Sequence, residues 1–381
     1  SAQEQARPTY LDGLGAYEVR ALTGAIAPSN GFETIESVTP ADWLNNDPGS
    51  TDVRSVISSW SGGGKSIVGL RLYLTGGGHG NSANNGIYIY DFAGDAQPTG
   101  WSVVGLSDLS AVLPEDNYTD GAPPSIHSYD GLVYAHHNGF FYRFGGAPWR
   151  PNGGFTRVVF KYDFTADEWI QLPSLPRPSP RIPVTVYDPA SGRVLVGTER
   201  RNLFFFDTDT DTWGDEIELN DLDWPLDTTG AYDPTRRRAV LAGMDDSRLI
   251  DINFTTREVE VAALPATGET DILTIRAPAI FYDRKRDSFW LFGGETPDGP
   301  GWSHLYEMSA ETFEVTRVAL TGAAIEVASV HRGTYGRFVY MPEWRTIGMV
   351  ADVDTPAYII GLPPATRDDL TPDTPADLRA Q

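Results

Sequence analysis

The stretches VYAHHNGFFYRFGG (133–146) and FYDRKRDSFWLFGG (281–294) align without a gap. In each, a tyrosine, Tyr134 or Tyr282, lies eleven residues before a Gly-Gly pair. Shorter or degenerate versions of the pattern begin at three further tyrosines: Tyr187, Tyr232 and Tyr340. The pattern recurs at a period of roughly 50 residues, which predicts small sheets stacked around an axis, because one such sheet cannot bury its own faces.

Six units of about four short strands can be traced through residues 55–362, which predicts an all-β propeller with six four-stranded blades. Seven blades is the alternative, if residues 1–54 build a further sheet. The sixth unit has no convincing fourth strand, and we expect the N-terminal segment 1–54, through GFETIESVTP (31–40), to supply one and close the ring. Residues 363–381 are rich in Pro and Asp and predict a loose tail.

Aromatic pairs follow the glycines in the well-formed units, seven residues apart: Tyr162 with Trp169, Phe206 with Trp213, and Tyr306 with Phe313. A hydrophobic strand ending in Gly-Gly, then a strand with a tyrosine, then one with a tryptophan, resembles the kelch repeat of β-propellers. The fourth unit departs from this pattern with Arg257 in place of the tryptophan. The resemblance implies a fold and no single activity, since kelch-like propellers include interaction modules, oxidases, epimerases and lyases.

The net charge of −23 predicts repulsion from nucleic acids and anionic membranes, so neither is an expected partner. No apolar run reaches the length of a membrane-spanning helix. The absence of cysteine excludes disulfides, thiolate catalysis and Cys-ligated metals. It also disfavours an enzyme like the copper-containing kelch oxidases, which depend on a cysteine–tyrosine crosslink. The start SAQEQARPTY fits a mature exported chain, so we expect a secreted or periplasmic monomer.

Polar residues concentrate at one predicted end of the axis, where the loops entering the inner strands meet the loops that follow the glycines. The first set of loops contributes Trp60, His127, Tyr129, Arg181, Arg276, His331 and Arg332, and the second set contributes His79, Asn81, Trp149, Arg150, Arg200, Arg201, Glu295 and Trp302. The alternative is structural, because such residues also close the pore, and an arginine in this register often pairs with a carboxylate of the next blade. The adjacent His136 and His137 are predicted to be turn residues at the opposite end.

The arginines and histidines in so acidic a chain predict a site for an anion, and we expect an acidic polysaccharide or oligosaccharide. Cleavage of a uronate by β-elimination needs a neutralised carboxylate, a base for the C5 proton and an acid for the departing oxygen. Arg181, Arg200 and Arg276 are candidates for the carboxylate. His127 or His79 is the candidate base, and Tyr129 or the other histidine the candidate acid.

The remaining substrate-binding candidates are the tryptophans, which would stack on sugar rings, and four polar residues: Trp60, Trp149, Trp302, Asn81, Arg150, Arg201 and His331. Some propeller lyases that cut uronate polymers are similar in kind, with His, Tyr and Arg on one face of the ring. None of their motifs aligns with this chain residue by residue.

Three other functions stay open at the level of sequence. A non-catalytic module that binds a glycan or a protein needs only the aromatic and hydrogen-bonding groups of the same face. A propeller like the sialate epimerases is a second alternative, on fold analogy alone. No cofactor is predicted, although His79, His127 and His331 would suit a divalent metal if they converge. DTDTDT (207–212) lacks the glycine and glutamate of a calcium loop and predicts a strand turn.

Overall fold

The computed structural model describes most of the chain and leaves gaps, so the statements below refer to residues 7–22, 56–57, 59–65, 70–78, 82–92, 101–107, 118, 120–148, 155–176, 183–198, 202–218, 227–243, 247–253, 256, 258–327, 332–352 and 355–367. The predicted strand at 31–40 and most of the predicted tail lie outside these residues. None of the helices within them has the length and hydropathy to cross a membrane.

Within these residues, six antiparallel sheets form the blades of one all-β propeller, which confirms the predicted class and blade number. The strands of blade one are Arg71–Leu74, Ile87–Asp91 and Trp101–Val104. Blade two consists of Leu132–Ala135, Phe140–Phe144, Val159–Asp163 and Glu168–Leu172. Blade three consists of Val184–Asp188, Arg193–Thr198, Asn202–Asp207 and Thr212–Glu218. In blade one the inner position is taken by Gly63, which bridges to Leu74, and by Gly64, whose N–H donates to the Tyr73 carbonyl at 2.9 Å.

Blades four and five are equally regular, and blade six takes its outer strand from the beginning of the chain. The strands of blade four are Thr229–Asp233, Arg238–Ala242, Arg248–Ile252 and Val259–Ala263. Blade five consists of Ala279–Asp283, Ser288–Phe292, His304–Ser309 and Glu314–Ala319. Blade six consists of Phe338–Met341, Thr346–Val350, Ala357–Gly361 and Glu18–Ala21. Short extra strands are Ile126–His127, Ala147–Pro148, Thr267–Gly268 and Thr321–Gly322, and the 3-10 helices are Thr9–Leu11, Thr270–Thr274 and Pro300–Trp302.

The outer strand of blade six comes from the N-terminal segment, earlier in the chain than residues 31–40. Glu18–Ala21 pairs antiparallel with Ala357–Gly361 and parallel with Thr321–Gly322. Val19 is buried in the core between blades five and six. The first and last parts of the described chain therefore share one sheet.

Six hydrophobic clusters, one at each junction of neighbouring blades, hold the described ring together. Successive residues of an inner strand pack into different junctions, because side chains point alternately to the two faces of the sheet. Val186 packs between blades three and four, whereas Tyr187 packs between blades two and three. The predicted aromatic pairs lie in these clusters, with Phe206 and Trp213 at a ring distance of 4.8 Å.

The Gly-Gly pairs end the second strand and let the loop of the inner strand approach. Gly146 and Gly294 have φ values of 105° and 117°, which disfavour any residue with a side chain. A Cβ at Gly294 would lie 2.2 Å from Ile275, and one at Gly146 would lie 2.6 Å from the carbonyl oxygen of His127. The glycines thus bring the loops of the two sets together at one end of the ring.

Candidate functional site

The loops that enter the inner strands share an unusual backbone position at one end of the ring, which we call the mouth. In each described loop, the residue five places before the repeat tyrosine, or before Lys65 in blade one, has a φ between 47° and 66°. These residues are Trp60, Tyr129, Asp227, Ala277 and Tyr335. A left-handed backbone is a rare and strained conformation for a bulky residue, and such strain concentrates at functional sites.

Backbone hydrogen bonds connect these positions from blade to blade. The N–H of Tyr129 donates to the carbonyl of Trp60 at 2.7 Å, and the N–H of Ala277 donates to that of Asp227 at 2.8 Å. The N–H of Tyr335 in turn donates to the carbonyl of Ala277 at 3.3 Å. The aromatic side chains then cluster, since Tyr129 and Tyr335 meet edge to face at 6.2 Å.

His127 lies against this cluster and contacts two aromatic rings. Its ring is 4.8 Å from that of Trp60, and the hydroxyl of Tyr129 lies 3.5 Å from its Nδ1 atom. The backbone of His127 is fixed by pairing with Ala147 in a two-residue ribbon. His127 is buried, and the mouth therefore places an imidazole and a phenol side by side.

Asp227 links Tyr335 to Arg276 on the other side of the mouth. The hydroxyl of Tyr335 donates to Oδ1 of Asp227 at 2.6 Å, and Nη2 of Arg276 donates to Oδ2. Burial raises the pKa of Tyr335 well above its usual value, and the negative charge of Asp227 raises it further. Burial, with a smaller contribution from Asp227, also raises the pKa of Tyr129. Both phenols are therefore protonated donors at neutral pH.

Two half-exposed arginines meet one carboxylate at the rim of the mouth. Nε of Arg276 lies 3.2 Å from Oε2 of Glu295, and Nη1 of Arg332 lies 3.5 Å from Oε1. The guanidinium of Arg332 also stands 4.7 Å from the centre of the Trp60 ring, a cation–π arrangement. Arg276 and Arg332 together with Asp227 and Glu295 are charge-balanced, as the structural alternative for Arg276 predicts.

A buried lysine crosses the axis below the mouth. Nζ of Lys65 is 2.5 Å from Oδ2 of Asp130, and it donates to the carbonyls of Thr185 and Gly230 at 2.6 and 2.9 Å. Blade one is thereby joined to blades two, three and four. Burial raises the pKa of Asp130 to about 7 and lowers that of Lys65, because both charges are removed from water.

The structure brings four of the predicted site residues to the mouth: Trp60, His127, Tyr129 and Arg276. Eight others lie outside the described residues, so their sites stay predictions: His79, Asn81, Trp149, Arg150, Arg181, Arg200, Arg201 and His331. Gly78, the residue before His79 in the sequence, does pack against His127, where an added Cβ would be 2.2 Å from the backbone nitrogen.

Trp302 belongs to the core between blades five and six and is buried there. This placement gives it a packing role and leaves little surface for a sugar ring. His136 and His137 occupy the turn between the first two strands of blade two, as predicted. Nδ1 of His137 is 2.7 Å from the hydroxyl of Tyr187.

Sequence reasoning assigned Glu295 and Arg332 to this end of the ring without choosing them as site residues, and it missed Asp227 and Tyr335. The signal that would have found Asp227 and Tyr335 is their register, five residues before the repeat tyrosines Tyr232 and Tyr340. In the part of the chain that the structure describes, no group of three His, Asp or Glu side chains is arranged to hold a metal ion. The metal site of His79, His127 and His331 remains a prediction, because only His127 is described.

Comparison with known proteins adds information on the fold alone. No protein-family model and no curated protein matches the chain. Many solved structures are similar, among them a propeller titled "Structure of YjhT". It has a TM-score of 0.51 and 14% sequence identity, and the alignment covers 79% of this chain and 93% of the other. At this identity the likeness supports the propeller fold and carries no activity across.

Proposed function

We propose that this protein is a carbohydrate-active propeller whose mouth cleaves an acidic glycan by β-elimination. The observation that supports the proposal is the approach of Nδ1 of His127 to the Tyr129 hydroxyl, at 3.5 Å, beside the half-exposed Arg276 and Arg332. A base, an acid and cationic donors are the groups that elimination at a uronate requires. The propeller fold suits a carbohydrate-active or carbohydrate-binding protein.

In the proposed reaction, the imidazole of His127 takes the C5 proton of the uronate. The electron pair of the C5–H bond forms a C4–C5 double bond, the C4–O bond breaks, and the phenol of Tyr129 protonates the departing oxygen. The raised pKa of Tyr129 keeps its phenol protonated at neutral pH. Transfer of a proton from His127 to Tyr129 across their contact then restores both groups.

The test is the ultraviolet absorbance of the new double bond, conjugated with the carboxylate, during incubation with uronate polysaccharides. We expect His127→Ala and Tyr129→Phe to slow product formation by roughly 10²- to 10⁴-fold, the usual contribution of a general acid or base. His136→Gln, at the opposite end of the ring, is the matched histidine control and should cleave like the wild type. Equal rates in all four proteins would refute the assignment.

The second candidate is a non-catalytic module that binds a glycan at the same mouth. It is favoured by the burial of His127 and Tyr129 and by the pairing of Arg276 and Arg332 with carboxylates. Such a module would bind uronate oligomers saturably and release no unsaturated product. Calorimetric titration with the same polysaccharides, read beside the absorbance assay, separates the two functions.

A further inference from the structure

Arg276 and Arg332 form a two-arginine clamp that currently holds the carboxylate of Glu295. The two arginines come from different blades, in the loops that enter blades five and six, and their side chains are 44% and 41% exposed. Glu295 reaches them from the bend that follows Gly294, and its N–H donates to the carbonyl of Arg276 at 2.9 Å. Convergence of two guanidiniums on one carboxylate is the arrangement that recognises an anion.

The two carboxylates bound to Arg276 are not equivalent. Asp227 has a side chain that is only 3% exposed and also accepts the hydroxyl of Tyr335 at 2.6 Å. Glu295 is 19% exposed, and the described contacts of its carboxylate are the two arginines. Asp227 therefore holds Arg276 in the mouth. The carboxylate of Glu295 can move into solvent with the loss of fewer buried interactions.

Trp60 fixes the second arginine in a similar way. The guanidinium of Arg332 lies 4.7 Å from the Trp60 ring centre, and His127 contacts the same indole at 4.8 Å. A planar guanidinium on an aromatic ring keeps its remaining N–H groups directed outward in the ring plane. Asp227 thus holds Arg276, Trp60 holds Arg332, and the clamp lies beside His127, the candidate base.

We propose that Glu295 is an internal occupant of the site for the carboxylate of an acidic sugar, and that the ligand binds by displacing it. This inference rests on the proposed function and names the group that the mouth recognises. Exchange of one carboxylate for another leaves the charge of the clamp unchanged. Because Glu295 competes with the ligand, the apparent affinity is the intrinsic affinity multiplied by the fraction of time that the clamp is free of Glu295.

The experiment is calorimetric titration with sodium glucuronate, with glucose as the neutral sugar and N-acetylglutamate as a carboxylate without a sugar ring. Glu295→Gln removes the competing charge and should tighten glucuronate binding roughly tenfold, because a neutral amide binds two guanidiniums more weakly than a carboxylate does and solvent screens part of the difference. Arg332→Gln should lose binding. Glu269→Gln is the control for loss of a carboxylate that contacts an arginine away from the mouth, because Glu269 lies 3.2 Å from Arg317 in the outer part of blade five.

Thermal unfolding of each variant shows whether it is folded before it is titrated. Unchanged glucuronate affinity in Glu295→Gln, or an equal gain in Glu269→Gln, would overturn the inference. Binding of glucose as tight as that of glucuronate would overturn the carboxylate assignment, and equally tight N-acetylglutamate would overturn the sugar assignment. Glucuronate binding that follows this pattern without any cleavage of polymers would instead refute the lyase reaction and leave the clamp intact.

Discussion

At the scale of single residues, burial decides which groups hold protons in this molecule. Tyr129 and Tyr335 keep theirs because their rings are enclosed in the mouth and Asp227 adds negative charge. His136 shows the opposite effect, since burial, with a smaller contribution from His137, lowers its pKa to about 3. In the described residues, its Nε2 atom has no hydrogen-bond partner. The same fold therefore favours neutral phenols at one end and a neutral imidazole at the other.

His136 predicts a pH dependence of stability. An unfolded histidine titrates near pH 6.5, so between about pH 3 and 6.5 the unfolded chain binds a proton that folded His136 does not. The free energy of unfolding should fall as the pH falls through this window, by at most about 1.4 kcal/mol per pH unit from this group. His136→Phe keeps the ring and should have a shallower slope in urea denaturation between pH 4 and 7.

Identical slopes in His136→Phe and the wild type would contradict the account of this residue. A stability difference that is the same at every pH would show a packing effect instead, because only a titrating group changes the slope.

At the scale of elements, the inner strands are joined across the axis by the Lys65 ammonium. Lys65 stands where the other blades have the repeat tyrosine, so one blade contributes a cation to a ring of aromatic positions. The carboxylate of Asp130 supplies the counter-charge. Its Oδ2 atom also accepts hydrogen bonds from the N–H groups of Thr185 and Gly230, each at 3.3 Å. Neither residue stood out in the sequence, because a lysine after three glycines has no periodic signal.

Lys65→Met should lower the free energy of unfolding by about 3–5 kcal/mol, because it leaves a buried carboxylate without its cation. The double variant Lys65→Met with Asp130→Asn removes both charges and should be more stable than the sum of the two single effects predicts. Chemical denaturation of the four proteins measures this coupling. Strictly additive effects would mean that the two groups do not stabilise each other.

At the scale of the whole molecule, the ring could be predicted from the sequence because its repeats carry strong local signals. The tyrosines and glycines at 134–146 and 282–294 mark a strand, a turn and a second strand, whatever the neighbouring blades contain. The closing strand Glu18–Ala21 could not be located, since an alternation of only four residues is too short to distinguish a strand from the rest of the N-terminal segment. This strand can be assigned only from the folded ring, because it pairs with the edge of Ala357–Gly361.

The mouth could also be predicted in part, because the repeats assign their loop residues to one end of the ring. Repeat register alone assigned His127, Tyr129 and Arg276 to one end, and the described contacts place them there. The register also assigns Glu295 and Arg332 to this end, but their contact could not be predicted, because the pairing of a rim carboxylate with arginines from two blades depends on the loop path after Gly294. The left-handed backbone at Trp60 and Tyr335 likewise has no signature in composition.

The most direct measurement is a crystal structure of Tyr129→Phe with a bound uronate oligomer, because this variant should bind the ligand and leave it uncleaved. We expect the sugar at the mouth, with one carboxylate between Arg276 and Arg332, Glu295 displaced, and C5 of that sugar facing His127. A ligand bound at the turn end of the ring, or at the mouth with Glu295 still held by both arginines, would contradict the account.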